Sequence, residues 1–181
     1  MLTFLITIVA LLLLVVGFQR LYLLRQRTEL SGEVVAHLKQ LAMQSLETLD
    51  VPVAALLLYN NEIIGEGFNT VLRNSKAGEH AEINAISSAI ASIGMEKFLA
   101  LDRKQLILVS TFEPCLMCSG AFVNYNIGIV YFMERKDAEY LVKEVKLLAR
   151  YMFRRSLVRN HGEQVALFKL HPRYPKRNDQ P

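Results

Sequence analysis

The sequence predicts an α/β domain, with a mixed β-sheet between helices, preceded by one N-terminal transmembrane helix. Three observations carry that prediction. Residues 1–18 hold no charge. Beyond residue 28, segments of helical periodicity alternate with short apolar runs of strand type. The 181-residue chain is 52% apolar, and its first two dozen positions account for much of the excess. What remains has the composition of a domain large enough to bury a core. Three regions follow: an anchor over 1–24, a domain over 25–150, and a basic C-terminal extension over 151–181.

In the first region, residues 2–16 are almost wholly aliphatic. If Arg20 snorkels, the apolar run continues through Leu21, Tyr22, Leu23 and Leu24 and reaches the ~20 residues that cross a hydrocarbon core. A cleaved signal peptide would want a positive start and a small-residue cleavage site, and neither is visible. Arg20, Arg25 and Arg27 follow the run and nothing basic precedes it. The positive-inside rule therefore predicts a single-pass membrane protein with the rest of the chain in the cytoplasm.

Residues 28–49 read as a helix, with Val34, Val35, Leu38, Leu41, Ala42, Leu46 and Leu49 near helical spacing and Pro52 ending it. Residues 53–59 and 62–68 form a hairpin around the turn residues Asn60 and Asn61. A polar loop carrying Gly78 covers 69–79. A helix over 80–93, with Ile83, Ile86 and Ile90, stops at Gly94. Residues 105–110 are a strand. Pro114 then sits where a helix can begin, followed by helix 115–125 and strand 127–132. The unit 105–132 predicts a parallel crossover. Residues 137–148 are a helix with Leu141, Val145 and Leu148 on one face. Residues 165–170 read equally well as a strand or a helical turn.

The net charge of +4 is modest, but eight Lys/Arg against Glu163 and Asp179 give residues 150–181 a net of +6. Such a tail meets nucleic acid, acidic lipid headgroups or solvent alone. Neither a repeat nor a low-complexity stretch occurs, which excludes solenoids. Cys115 and Cys118 are the only cysteines. That pair is a metal or redox motif rather than a disulfide framework, and it suggests a reducing compartment.

Two short motifs stand at two predicted helix starts: His80-Ala81-Glu82, and Glu113-Pro114-Cys115-Leu116-Met117-Cys118. Each is weak alone. Thiolates at a helix N-terminus sit at the positive end of the dipole, which favours their metal-bound form. At i and i+3, Cys115 and Cys118 project to the same side. With a His80 nitrogen they make three ligands and leave a fourth position for water, the pattern of a catalytic zinc site. His37, His161 and His171 are the only candidates for a fourth protein ligand, and each reads better as an ordinary histidine. Glu82 is close to the metal without being needed as a ligand, so its expected role is to shuttle protons. Its plainer alternative is a carboxylate stabilised by the helix dipole.

Taken together and in this order, the two motifs resemble the signature of the zinc-dependent deaminases of the cytidine/nucleobase superfamily. From about Val51 to Phe132 the chain is similar to the branch holding tRNA adenosine, guanine and cytosine deaminases. The resemblance rests on Val51-Pro52-Val53-Ala54, Ile64-Gly65-Glu66-Gly67-Phe68-Asn69, the seven residues from His80 to Ile86, and the nine from Glu113 to Ala121. It implies a three-layer α/β/α cytidine deaminase-like fold, a catalytic Zn2+ and commonly a homodimer. It also implies that Asn69 hydrogen-bonds the substrate base and that the Ala81 backbone amide lines the base pocket. The plain alternative for Asn69 is a turn residue. The likeness breaks at residues 132–137, where tRNA-editing enzymes usually carry a Gly-Ala-Arg-Asp type segment.

The activity expected first is hydrolytic release of ammonia from a free nucleobase, nucleoside or nucleotide. The runner-up is conversion of adenosine to inosine in tRNA, with the basic C-terminal region holding phosphate. A third reading, a catalytically inactive zinc-binding interaction protein, fits poorly with an intact Glu82.

Overall fold

A computed structural model of the chain describes residues 28–155 and isolated positions within 7–18 and 167–170. The chain divides into two compact units, Met1–Lys136 and Asp137–Pro181. In the first unit, helix α1 (Gly32–Leu46) begins where the Ser31 hydroxyl accepts from the Val34 N–H at 3.3 Å. That cap starts the helix later than Thr28. It also ends before Leu49, because Leu49 turns to a φ of 60° and the Asp50 N–H bonds back to the Ser45 carbonyl at 3.0 Å. Leu38, Leu41, Ala42 and Ser45, spaced for one helical face, are its buried residues.

Strands β1 (Ala54–Tyr59) and β2 (Glu62–Phe68) form the expected hairpin. Asn60 and Asn61 both take positive φ, 52° and 65°. Asparagine tolerates that conformation, and it suits the twist of a two-residue hairpin turn. The polar loop beyond β2 contains a one-turn helix, α2 (Val71–Asn74), which the sequence does not announce. Helix α3 (Ala81–Ile93) ends at Gly94, whose φ of 84° also lets it start α4 (Met95–Ala100). The sequence reading missed α4 because it is six residues long and buries only Phe98. Strand β3 (Leu106–Phe112), helix α5 (Leu116–Asn124) and strand β4 (Ile129–Glu134) complete the unit.

The sheet order is β2-β1-β3-β4. Strand β3 is antiparallel to β1 and parallel to β4, so the sheet is mixed and the predicted parallel crossover through α5 is present. Because β1 is central, its two faces are covered by different layers. Ala54, Leu56 and Leu58 pack with Leu38, Leu41 and Ala42 of α1. Leu57, with Leu106 and Leu108 of β3, packs with Ile86, Ala89, Phe98 and Phe122 on the other side. Each of these larger side chains contributes about 1.5–3 kcal/mol of burial.

Glycine decides how α3 meets the sheet. A Cβ on Gly67 would lie 2.5 Å from the Ala85 nitrogen and 2.6 Å from the Ala81 oxygen, and one on Gly65 would lie 2.7 Å from Ala89 Cβ. Ala81, Ala85 and Ala89 repeat every four residues on one face of α3, so small residues on both partners bring helix backbone against strand backbone.

In the second unit, α6 (Ala138–Arg154) is capped by Asp137, whose carboxylate accepts from the Tyr140 N–H at 2.7 Å. It runs six residues beyond the expected Leu148. Of residues 165–170, positions 167, 168 and 170 are described and are helical.

The transmembrane helix expected over residues 1–24 requires correction. Among the described residues no helix is long and apolar enough to cross a membrane, and most of 1–24 lies outside them. The longest described helix, α6 with 17 residues, carries Glu139, Lys143, Glu144, Lys146, Arg150 and Arg154. Crossing takes about 20 predominantly apolar residues. The fold is therefore an α/β sheet-and-helix domain without a described membrane span. The single-pass membrane localisation, and the membrane as a partner, fall with the span.

Candidate active site

The two motifs meet at the ends of two helices on one side of the sheet. His80 is the N-cap of α3 (φ −71°, ψ 155°) and Cys115 the N-cap of α5 (φ −77°, ψ 170°). Neither side chain makes a capping hydrogen bond. Ser, Thr, Asp or Asn normally fills that position because its side chain satisfies the first N–H groups. Here both positions forgo the cap, and their side chains point at each other instead.

The Cys115 Sγ lies 3.5 Å from His80 Nδ1 and 3.6 Å from Cys118 Sγ, and Cys118 Sγ is 3.7 Å from His80 Nδ1. A tetrahedral zinc with metal–sulfur bonds near 2.3 Å and a metal–nitrogen bond near 2.0–2.1 Å sets edges of about 3.5–3.8 Å between such ligands. The triangle matches one face of that tetrahedron. Among the described residues these three side chains form the one group able to hold a metal ion. His37 instead pairs with Glu66 at 2.7 Å, and His161 and His171 lie outside the described residues.

Sharing a hydrogen with Cys118 is the main reason the Cys115 thiol is held down to about 5, against the burial that opposes it. The same contact, together with burial and the neighbouring Glu82, pushes Cys118 up. Coordination to zinc deprotonates a thiol outright, and both sulfurs then serve as thiolates.

Glu82, in the first turn of α3, is 4% exposed. Burial raises its carboxyl above the usual range. Its Oε2 is 3.4 Å from Cys118 Sγ, and its Oε1 accepts from the Ser110 hydroxyl at 3.4 Å. Sequence reasoning missed Ser110, which ends an aliphatic run and is fully buried. The only local hint is a hydroxyl where the strand should be apolar.

Ala81 is fully buried and packs with Ala55, Ala85 and the partly buried Val53. As the first residue of α3, it has no acceptor within the helix for its N–H. Asn69 follows β2; its N–H bonds the Val53 carbonyl at 3.0 Å and its Nδ2 the Val51 carbonyl at 3.2 Å. Its Oδ1 is buried with no hydrogen-bond partner among the described residues.

Between Asn69 and His80 the loop is held by side chains the sequence did not single out. Burial alone would raise the Asp50 carboxyl, but N–H donors from Leu72 (2.6 Å) and Arg73 (3.0 Å), with the Thr48 hydroxyl, outweigh it and hold the group below its usual value. Asn74, then Lys76 and Thr70, donate to Glu79 and hold it down to about 2. From α3, Asn84 donates to the Phe68 carbonyl at 2.8 Å and to Thr70 Oγ1 at 3.0 Å.

A buried carboxylate beside two sulfurs and an imidazole, on an α/β sheet, is the arrangement of a hydrolytic zinc site, in which His80, Cys115 and Cys118 would hold the metal. Residues 29–134 match the family model described as the cytidine and deoxycytidylate deaminase zinc-binding region, and the chain belongs to that family. Zinc is its cofactor. The chain is 34% identical over 99 residues to tRNA-specific adenosine deaminase 2 of Xenopus laevis, covering 54% of this chain and 57% of that protein. It is 38% identical over 93 residues to tRNA-specific adenosine deaminase 2 of Danio rerio, covering 51% and 44%. The chain thus spans about half the length of the curated relatives it matches. Guanine deaminase from Bacillus subtilis superposes with a TM-score of 0.62 over 81% of this chain and 99% of that one. At 21% identity that likeness speaks for the fold alone.

Proposed function

We propose that the chain deaminates adenosine in tRNA to inosine, with its deaminase domain within residues 25–150, in preference to acting on free nucleobases. The identity to tRNA-specific adenosine deaminases carries this reading, because it extends over 93–99 residues, about half of the chain. The net +6 of residues 150–181 supports it, since RNA backbone contacts are made by Lys and Arg.

In this reading His80, Cys115 and Cys118 hold the zinc. Bound there, zinc supplies the Lewis acidity that makes water a nucleophile at neutral pH. Glu82 moves the protons: it takes one from the attacking water and delivers it to the ring nitrogen. It then takes the remaining hydroxyl proton and passes it to the amino group, which leaves as ammonia as the C–N bond breaks. Burial raises the Glu82 carboxyl above its usual range, and the Ser110 hydroxyl donates to its other oxygen. The Asn69 amide, with an unpartnered buried oxygen, binds the base edge, and the Ala81 N–H lines the pocket. The base must leave its stack to enter, which suits a single-stranded loop.

The test is inosine formation on tRNA anticodon stem-loops alongside ammonia release from adenosine, guanine and cytosine. Inosine in the RNA is the expected product. Turnover of a free base with none on RNA would return the chain to the free-base reading.

A further inference from the structure

We propose that Lys136 is a positioning residue for the metal group, holding the turn that presents Cys115. Its side chain is 5% exposed, and its Nζ donates to the Pro114 carbonyl at 2.6 Å. Pro114 immediately precedes Cys115. The Lys136 main-chain N–H donates to Glu113 Oε2 at 3.0 Å, and the Glu113 N–H donates to the Glu134 carbonyl at 2.8 Å. Three hydrogen bonds thus join the end of β4 and the residues just beyond it to Glu113 and Pro114, the two residues before Cys115.

Burying an ammonium is costly unless it is paired, so a lysine in this place needs partners close by. One of those partners is the backbone of the ligand turn. The placement has a physical reason. Cys115 gives up the side-chain cap of α5, and Pro114 has no N–H to anchor the turn through. The Pro114 carbonyl and the Glu113 side chain both offer a grip, and Lys136 holds the first through its Nζ and the second through its main-chain N–H.

Lys136 falls in residues 132–137, the segment that departs from the pattern usual in tRNA-editing relatives. The inference rests on His80, Cys115 and Cys118 being the ligands. Groups that orient metal ligands typically contribute 10–100-fold to metal affinity.

The experiment uses the full chain and reads zinc affinity by competition with a chromogenic chelator, together with the thiolate-to-cobalt absorption of the Co2+-loaded protein. Lys136→Met should bind zinc about 10–100-fold more weakly. It should also shift the cobalt band, under conditions where circular dichroism shows the metal-free variant folded. Lys136→Arg, which keeps the cation and its donors, should restore part of the affinity. Zinc binding as tight as the parent's in Lys136→Met, with an unchanged cobalt band, would overturn the proposal. So would a fall in affinity accounted for by loss of fold in the metal-free variant, with no rescue by Lys136→Arg. A Cys118→Ser variant is the separate control: if it keeps its zinc, the ligand assignment beneath the inference is wrong.

Discussion

The two arms of the site are built by opposite means. His80 and Glu82 ride on α3, thirteen residues with five of them buried, pressed onto the two glycines of β2. Cys115 and Cys118 ride on α5, nine residues with only Cys118 and Phe122 buried. The first arm is placed by backbone packing, which resists displacement because close-packed interiors leave no slack. The second is placed by hydrogen bonds from Lys136 to its N-terminal turn, where the Glu113 carboxylate and the Pro114 carbonyl accept. Packing therefore holds Glu82 and Cys118, while a polar clamp holds the turn before Cys115. Damage to the two arms should look different in the laboratory.

The largest effect should come from removing the sulfurs. Cys115→Ala with Cys118→Ala leaves His80 alone, so metal analysis should find zinc lost and activity gone; a full complement of zinc in that variant would refute the ligand set. Next comes the proton carrier. Glu82→Ala should lower turnover about 10²–10⁴-fold while zinc content and melting stay close to the parent's. Near-normal turnover on a verified substrate would remove Glu82 from the mechanism.

Packing is tested at the strand. Gly67→Val puts branched carbon where a Cβ already meets α3 backbone, an overpacking expected to cost about 1–3 kcal/mol. Thermal melting should fall by several degrees. Turnover should fall as well, since α3 carries both His80 and Glu82. Unchanged melting would mean that α3 yields easily, and the contrast between the arms would disappear.

The smallest effect concerns the loop leading into the first arm. Glu79 has its folded pKa depressed from 4.5 to about 2, chiefly by Asn74. A depressed carboxyl stabilises above its unfolded pKa, and that contribution disappears as pH falls through the folded value. The stability advantage of the parent over Glu79→Gln should therefore be intact at pH 6 and shrink between about pH 4.5 and 2. An advantage that did not change over that range would show that the charge on Glu79 is irrelevant to the loop.

Much of the site was readable because its chemistry is local. His80 with Glu82, and Cys115 with Cys118, sit one helical turn apart or less, and helix starts can be read from Gly, Pro and periodicity. The groups that aim them were not readable. Ser110 reaches Glu82 only because β3 pairs with β1 in the register Ala55↔Ser110, which puts the hydroxyl on the α3 face. Lys136 looked like part of a charged connector. Its role depends on β4 lying parallel to β3, with Phe112 opposite Glu134. The helix α4 was invisible for a related reason, since a single buried phenylalanine has no period.

By itself the sequence determined the α/β alternation, the Asn60-Asn61 turn, the stop at Gly94, and which side chains gather at the candidate site, His80, Glu82, Cys115 and Cys118. Each is set by backbone preference or by spacing within one turn. Tertiary structure alone decided how closely α3 approaches β2, which hydroxyl meets Glu82 and which lysine grips the sulfur-bearing turn. These outcomes depend on sheet register and on contacts between residues far apart in the chain, and neither leaves a periodic trace in the order of amino acids.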